Sequence, residues 1–295
     1  MCGIVGLHLT DAALEPRLGE LLTGMLGQVV ERGPDSAGVA VYGDPRLAPA
    51  GRSAVSLLDA GSSSEVERIL GEILPVGAVQ ADETVVVHAA VEPATLLAAI
   101  AETLPDALVI GSGEQLAVLK GVGHPDRLAK SFGLAAVQGW QAVAHTRMAT
   151  ESAVTAAGSH PFSVGADQCL VHNGSFANHA TIRRELRAAG VRFDSENDSE
   201  VGARYVAQRL LEGCDLEKSL RLLCENFDGF YTLVVTTGDS FAVVRDAIAC
   251  KPAIIAETDR WVAMASEYRA LDTLPGIENA RIFEPEPEEV YLWRR

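Results

Sequence analysis

Residues 2–9 read CGIVGLHL, a short apolar run that begins with a cysteine directly after the initiator methionine. Large apolar residues in a short run of this kind predict a buried β-strand. Methionine is removed efficiently before a small residue, so we expect Cys2 to carry a free α-amino group. The reference pKa of such a group is about 7.7 to 8.0, so it can act as a base near neutral pH. The stretch therefore predicts either a nucleophile with its own base or a buried structural cysteine.

Composition places the chain among ordinary globular proteins. It has 295 residues, of which 48% are hydrophobic and 22% charged, and this length allows one or two domains. The formal net charge of -16 argues against binding to nucleic acid or to anionic membrane surfaces. There is no apolar run long enough to span a bilayer and no signal-peptide pattern, so we expect a cytoplasmic protein.

The cysteines are widely scattered. The chain contains five, with no CxxC pair: Cys2, Cys169, Cys214, Cys224 and Cys250. This spacing signals neither a zinc knuckle nor a disulfide framework. We expect no bound metal, and we expect the four cysteines after Cys2 to serve packing.

Apolar periodicity divides the chain into elements. A helix is predicted to run up to Gly33, and a strand is predicted over residues 37–43. From about residue 44 to 113, strand and helix signals alternate as in a βαβ unit, which suggests an inserted lobe. The strand around residues 168–176 is predicted to break at Asn173-Gly174, a pair that suits a tight turn. Helices follow over residues 178–190 and 198–213, and the last ninety or so residues are mostly β.

Four motifs each supply a group that a terminal cysteine nucleophile would need. They are ERGPDSAG at 31–38, AHTRMAT at 144–150, HNGSF at 172–176 and NDSE at 197–200. Together with CGIVG, and with the stretch VVRDAIACKPAIIAETDRWVAMASEYRAL at 243–271, they resemble the class II glutamine amidotransferases. The glutaminase domain of that family is an N-terminal-nucleophile hydrolase. The order and joint presence of the motifs make the resemblance specific.

The resemblance implies an α+β fold. We expect a four-layer αββα sandwich of the N-terminal-nucleophile hydrolase type with an inserted α/β lobe. A glutamine amidotransferase domain would cover residues 2–295, and the lobe would occupy about 44–113. No cofactor is implied.

The resemblance also implies roles for the reacting groups. Cys2 resembles the family's nucleophile. Attack on a carboxamide places negative charge on its oxygen, which paired N–H donors stabilise. The Asn173 side-chain amide and the Gly174 backbone N–H fit that task, and the competing interpretation is a plain hairpin turn. Arg32 and Asp35 are expected to order the N-terminal residue rather than to react.

Glutamine carries a carboxylate and an ammonium, so its site needs one cation and one anion. By resemblance, Arg147 binds the carboxylate, since its planar fork suits bidentate contact. Asp198 binds the ammonium, and Thr150 is a further substrate-binding residue. The competing interpretations are a surface arginine for Arg147 and a helix N-cap for Asp198.

Two positions depart from the family pattern. Met148 stands where an aromatic residue is usual, and residues 150–152 read TES in place of Thr-His-Gly. Both lie in the stretch that would close over glutamine, so Met148 and Glu151 bear on substrate affinity. His160 and His172 are interpreted as structural neighbours of the site, since the terminal amine already supplies the base.

The sequence leads to one main functional hypothesis. The chain would hydrolyse L-glutamine to L-glutamate and ammonia through a Cys2 thioester. The ammonia would pass to a separate synthase subunit, as in glutamate-synthase-like enzymes and N-methylglutamate synthase, because no segment is left over for a synthase domain. The alternatives are an amide hydrolase of the same fold with another substrate and a catalytically silent regulatory or scaffolding subunit.

Overall fold

The structure is a computed structural model that describes residues 2–148 and 154–295. Within these residues the strands, in chain order, are β1 (Gly3–Leu9), β2 (Ser36–Tyr42), β3 (Ser53–Leu58), β4 (Val76–Ala81), β5 (Thr84–Ala89), β6 (Leu108–Gly113), β7 (Leu116–Val122), β8 (Gln141–Arg147), β9 (Cys169–Phe176), β10 (Gly229–Thr236), β11 (Ser240–Arg245), β12 (Ile254–Glu257), β13 (Trp261–Ala265), β14 (Arg281–Phe283) and β15 (Tyr291–Arg294). The helices are α1 (Leu18–Gly27), α2 (Ser63–Leu70), α3 (Pro93–Thr103), α4 (Pro125–Ser131), α5 (His179–Ala188), α6 (Asp198–Leu211), α7 (Leu216–Asn226) and α8 (Tyr268–Leu271).

Strand β1 lies at the centre of a seven-stranded sheet with the order β14-β12-β13-β1-β8-β2-β7. All seven of its residues are buried. Because other layers cover both faces of this sheet, its apolar residues continue without the alternation of a half-exposed strand. Val5 and Leu7 pack towards helices, while Ile4 packs towards a second sheet.

Three cores separate four layers. The first lies between the seven-stranded sheet and α1, α4 and α8. The second lies between that sheet and a four-stranded sheet with the order β15-β11-β10-β9. The third lies between the four-stranded sheet and α5, α6 and α7. The predicted αββα sandwich is therefore confirmed. Gly6 allows the two sheets to approach closely, since a Cβ there would lie 2.8 Å from the Phe241 ring.

A third sheet, with the order β4-β5-β3-β6, lies in the region where the sequence suggests an inserted lobe. Its elements run β-α-β-β-α-β along the chain and all its neighbouring strands are antiparallel, which is the ferredoxin-like arrangement. Helices α2 and α3 share its apolar core. The first strand begins at Ser53, and a lobe boundary near residue 44 stays a prediction.

Side chains of this third sheet hold the edge of the seven-stranded sheet. In edge strand β7, the Val118 N–H donates to Ser56 Oγ at 2.9 Å. Thr84 Oγ1 accepts from the Lys120 N–H at 3.1 Å and lies 3.2 Å from the Lys120 carbonyl oxygen, to which it donates. Unpaired N–H and C=O groups at a sheet edge promote pairing with other chains. Here the Ser56 and Thr84 hydroxyls form hydrogen bonds with edge groups of Val118 and Lys120.

The first helix is shorter than predicted. Helix α1 ends at Gly27, and a separate 3-10 turn covers Val30–Arg32. The chain bends because it packs against β8: Thr146 Oγ1 donates to the Val29 carbonyl at 3.2 Å. A Cβ on Gly33 would lie 2.4 Å from the Thr146 carbonyl carbon. In the part of the chain that the structure describes, none of the helices combines the length and apolar character needed to cross a membrane.

Candidate active site

Cys2 lies half-buried immediately before β1, and its main chain is held from two sides. Its carbonyl oxygen accepts from Arg32 Nε at 3.1 Å and from Asn173 Nδ2 at 3.3 Å. The next residue is also fixed, since the Gly3 N–H donates to Thr146 Oγ1 at 3.2 Å. The predicted nucleophile and the predicted oxyanion donor are therefore in direct contact.

Arg32 is held in place by an acidic residue that the sequence reasoning did not single out. Arg32 Nη1 lies 3.0 Å from Glu267 Oε1, and Arg269 Nε lies 2.6 Å from the other oxygen of the same carboxylate. Glu267 belongs to the ASE part of the C-terminal motif, and its place in that motif is the only feature of the sequence that points to it. Arg32 thus connects Cys2 to the start of α8, and the ordering role expected of it stays a prediction.

Arg147 is the last residue of β8, and the RGPDSAG motif fixes its backbone. The Asp35 N–H donates to the Arg147 carbonyl at 3.1 Å, and Pro34 forms an isolated bridge with the same residue. A Cβ on Gly33 would lie 2.5 Å from the Arg147 nitrogen, so this close approach requires glycine. Main-chain contacts of Asp35 therefore position the predicted carboxylate ligand.

Asn173 and Gly174 lie inside β9, not in a hairpin turn. The strand continues to Phe176, and β10 pairs with it in register, Thr232 opposite Asn173 and Tyr231 opposite Gly174. The predicted break was wrong because β10 passes so close to the strand: a Cβ on Gly174 would lie 2.0 Å from the Phe230 carbonyl oxygen. Gly174 has φ +152°, which favours glycine.

Asp198 is the first residue of α6 and is not its N-cap. The cap is Asn197, whose side-chain oxygen accepts from the Ser199 N–H at 2.9 Å. The Asp198 carboxylate instead reaches β9, where Oδ2 accepts from the Phe176 N–H at 2.9 Å. Asn197 therefore accepts the capping hydrogen bond of α6, and the Asp198 carboxylate is not used as the cap.

One carbonyl connects Arg147 to the start of α6. The Gly158 oxygen accepts from Arg147 Nη1 at 3.2 Å and from Asn197 Nδ2 at 3.5 Å. The structure thus gathers Cys2, Asn173, Arg147 and Asp198 around the ends of β8 and β9. Thr150 and Glu151 lie outside the described residues, and their predicted roles stay predictions.

Three buried histidines pack behind the site. The ring centroids of His145 and His160 are 4.3 Å apart, and those of His160 and His172 are 6.3 Å apart. Burial lowers the pKa of His145 to about 3 and that of His172 to about 4, and it sets the pKa of His160 well below its ordinary value. All three are neutral at pH 7. His160 and His172 are the neighbours that the sequence predicts, whereas His145, within AHTRMAT, is not among the predicted residues.

Gly38, from the RGPDSAG motif, makes room for this cluster. A Cβ there would lie 2.1 Å from the His160 carbonyl oxygen. No group of three or more His, Cys, Asp or Glu side chains in residues 2–148 and 154–295 has an arrangement that could hold a metal ion.

Comparison with known sequences points to one family. A glutamine amidotransferase domain family matches residues 145–273. The chain is 49% identical, over 298 residues, to the glutamine amidotransferase-like protein GlxB of Rhizobium meliloti (strain 1021). The match covers 99% of this chain and 98% of that relative.

Comparison with solved structures gives the same fold. The chain is similar to the glutamine phosphoribosylpyrophosphate amidotransferase of B. subtilis, with a TM-score of 0.60 and 19% identity over 99% of this chain. It is also similar to a structure described as the allosteric regulatory enzyme of purine biosynthesis, with a TM-score of 0.62 and 18% identity over 99% of this chain. The chain covers 49% and 46% of these two structures, which is about half of each.

Proposed function

Because the chain belongs to the class II glutamine amidotransferases, enzymes with the N-terminal-nucleophile hydrolase fold, we propose that it hydrolyses L-glutamine through Cys2. The observation that carries this proposal is the contact between Asn173 Nδ2 and the Cys2 carbonyl oxygen at 3.3 Å. It puts an amide donor beside the cysteine. The main-chain contact with Arg32 supports the same assignment.

In the proposed reaction the α-amino group of Cys2 takes the thiol proton, and the sulfur attacks the carboxamide carbon of glutamine. Asn173 Nδ2 and the Gly174 N–H stabilise the resulting oxyanion. The carbon–nitrogen bond then breaks, and the α-ammonium returns its proton to the leaving ammonia. Water hydrolyses the thioester to give L-glutamate and the free thiol.

Glutamine would be held at its other end by two opposite charges. The guanidinium of Arg147 fits the α-carboxylate, and the carboxylate of Asp198 fits the α-ammonium. Arg147 and Asn197, the residue before Asp198, both donate to the Gly158 carbonyl, and this supports the arrangement because it holds Arg147 near the start of α6. Thr150 completes the proposed set.

The hydrolysis is tested with Cys2→Ala. We expect glutamate formation from glutamine to fall below a few per cent of the wild-type rate, with unchanged circular dichroism, because alanine fits the same position before β1. Cys214→Ala, in the half-buried loop after α6, is the matched control and should keep full activity. Substantial activity in Cys2→Ala would refute the nucleophile assignment.

We further propose that the ammonia passes to a synthase subunit, glutamate-synthase-like or N-methylglutamate synthase, which docks over Cys2. Ammonia released into water at neutral pH is mostly protonated and loses its nucleophilicity, so delivery needs a sealed route. Four large hydrophobic side chains are exposed, by 38% to 68%, on segments that flank the site: Met148, Phe230, Ile248 and Tyr268. We call these four residues the apolar rim.

Contacts with site residues support the position of the rim. Phe230 pairs with Ser175, the residue after Gly174, and Lys251 Nζ lies 5.0 Å from its ring centroid. Ile248 lies three residues before Lys251, and Met148 and Tyr268 directly follow Arg147 and Glu267. We expect a partner that covers the rim to cover Cys2 as well.

The partner is tested by purifying the chain, with a C-terminal tag, from its native source. We expect a synthase subunit to co-purify, and we expect faster glutamine hydrolysis in the complex than in the chain alone. Ile248→Glu should release the partner, whereas Ile73→Glu, at another exposed apolar position, should not. A fully active chain that elutes alone would contradict the subunit proposal and leave a simple glutaminase.

A further inference from the structure

Strand β9 and helix α6 are joined by a second connection beside the Phe176 contact of Asp198. Ser199 Oγ lies 2.8 Å from His172 Nδ1 and 3.3 Å from Asp198 Oδ1. Ser199 and His172 are 2% and 3% exposed, so water does not compete for these contacts. Each Asp198 oxygen therefore has a partner that links it to the strand carrying Asn173.

The hydrogen positions in this connection follow from the charge at its end. An ionised carboxylate only accepts hydrogen bonds, so the Ser199 hydroxyl donates to Asp198. Its oxygen then accepts from the imidazole, which assigns the proton of neutral His172 to Nδ1. The chain of donors runs from His172 through Ser199 to Asp198.

We propose that Ser199 and His172 are positioning residues that fix the distance between the ammonium-binding carboxylate of Asp198 and the oxyanion donor Asn173. His172 precedes Asn173 on the same strand, so the chain of donors transmits the position of one group to the other. This inference rests on the proposed role of Asp198 in binding glutamine. Supporting hydrogen bonds of this kind hold the binding groups in position, so less conformational entropy is lost when substrate binds.

Other side chains hold the outer side of the same helical turn. Glu200 Oε1 and Oε2 accept from the backbone N–H groups of Asp194 and Ser195 at 2.8 and 2.7 Å. Arg183 donates to the carbonyls of Ser195 and Asn197 at 2.6 and 3.0 Å. Removing the Ser199 hydroxyl should therefore leave Asp198 Oδ1 without this hydrogen bond, so that among the described residues only the Phe176 N–H orients the carboxylate, without displacing the start of α6.

The test compares two ligands that differ only in the α-ammonium. Glutaramate has the carboxylate and carboxamide of glutamine but no amino group. We expect Ser199→Ala to raise KM for glutamine about tenfold, with a smaller change in kcat, because a carboxylate loses a hydrogen bond that orients it. The inhibition constant of glutaramate should stay at its wild-type value.

Four further variants make the test specific. Ser199→Thr keeps the hydroxyl and should restore KM. His172→Asn, whose amide nitrogen can replace Nδ1–H, should retain more glutamine affinity than His172→Leu. Ser219→Ala removes a buried hydroxyl from α7 that donates to the Asp215 carbonyl at 2.7 Å, and it should leave both ligands unaffected.

Equal losses for glutamine and glutaramate in Ser199→Ala would overturn the inference, and so would an unchanged KM for glutamine. Asp198→Asn separates this failure from a failure of the proposed function. If Asp198→Asn weakens both ligands equally, the ammonium assignment itself is wrong. If it weakens glutamine alone while Ser199→Ala has no effect, only the positioning role is wrong.

Discussion

Asn173 Nδ2 donates to the Cys2 carbonyl oxygen at 3.3 Å. A donor placed there can turn to a developing oxyanion with little reorganisation. We expect Asn173→Ala to lower kcat by roughly 10² to 10³ with a much smaller change in KM, since the donor acts mainly in the transition state. Steady-state glutaminase kinetics measure both constants.

Asn279→Ala, at an exposed asparagine in the 3-10 turn Ile277–Asn279, is the control for Asn173→Ala and should behave as wild type. A change confined to KM in Asn173→Ala would instead make Asn173 a binding residue.

Arg147 offers a planar fork that an ammonium cannot reproduce. Arg147→Lys should raise KM for glutamine roughly 10- to 100-fold, because a bidentate, charge-assisted contact is lost. The wild type should discriminate strongly against 4-aminobutanamide, which lacks the α-carboxylate, and the variant should discriminate less. If the wild type hydrolyses both amides equally well, Arg147 does not bind the carboxylate.

Among the elements, β9 depends on a glycine at its paired centre. Gly174→Ala combines a φ of +152° with a Cβ placed 2.0 Å from the Phe230 carbonyl oxygen. We expect the free energy of unfolding to fall by about 2 to 5 kcal/mol, measured by urea denaturation. Gly27→Ala, at the end of α1 with no atom within 4 Å, is the matched control and should be neutral or slightly stabilising.

The elements also show what local sequence can reveal. Apolar runs such as residues 3–9 predict buried strands because the apolar side chains on both faces of the strand must be buried away from water. Asn173-Gly174 favours a turn by the same local rules, yet β10, more than fifty residues later, pairs with it and keeps the strand extended. Helix α1 likewise ends early because of Thr146, over one hundred residues away. Local sequence patterns therefore predict the wrong secondary structure where contacts with residues distant in the sequence determine it.

For the site, the resemblance predicts the residues but not their connections. Contacts of Cys2 with Arg32 and Asn173 agree with the predicted grouping. The Arg32–Glu267 pair spans 235 residues and the His172–Ser199 contact spans 27, so no spacing rule reveals them. They follow only from the packing of β8 and β9 against the C-terminal segment and α6.

At the scale of the whole molecule, the buried histidines make stability depend on pH. Their pKa is lower in the folded protein than in the unfolded chain, so below pH 6.5 the unfolded chain binds more protons. Stability is therefore complete above pH 6.5 and declines as the pH falls towards 4, by up to ~1.4 kcal/mol per pH unit for each histidine. Urea denaturation at several pH values measures this slope.

His160→Phe should reduce that slope by about one histidine's share, ~1.4 kcal/mol per pH unit below pH 6. The charged and titratable groups that act on His160 are His145, His172, Lys120 and Arg147, all of which remain in the variant. Asn279→Ala, at an exposed residue that does not titrate, is the control and should keep the wild-type slope. An unchanged slope in His160→Phe would show that the cluster does not control acid stability.

The Ser56 and Thr84 hydroxyls form hydrogen bonds with the edge of β7, so deleting the residues that carry them would expose this edge. A shortened chain without residues 53–113 would retain every motif that resembles a glutaminase. It would also present the apolar edge strand LAVLKGV to other copies of itself, with the Val118 N–H and the Lys120 N–H and carbonyl groups left without their partners. Such a minimal enzyme would precipitate or form fibrils during expression, and polar or proline substitutions along β7 would be needed to keep it in solution.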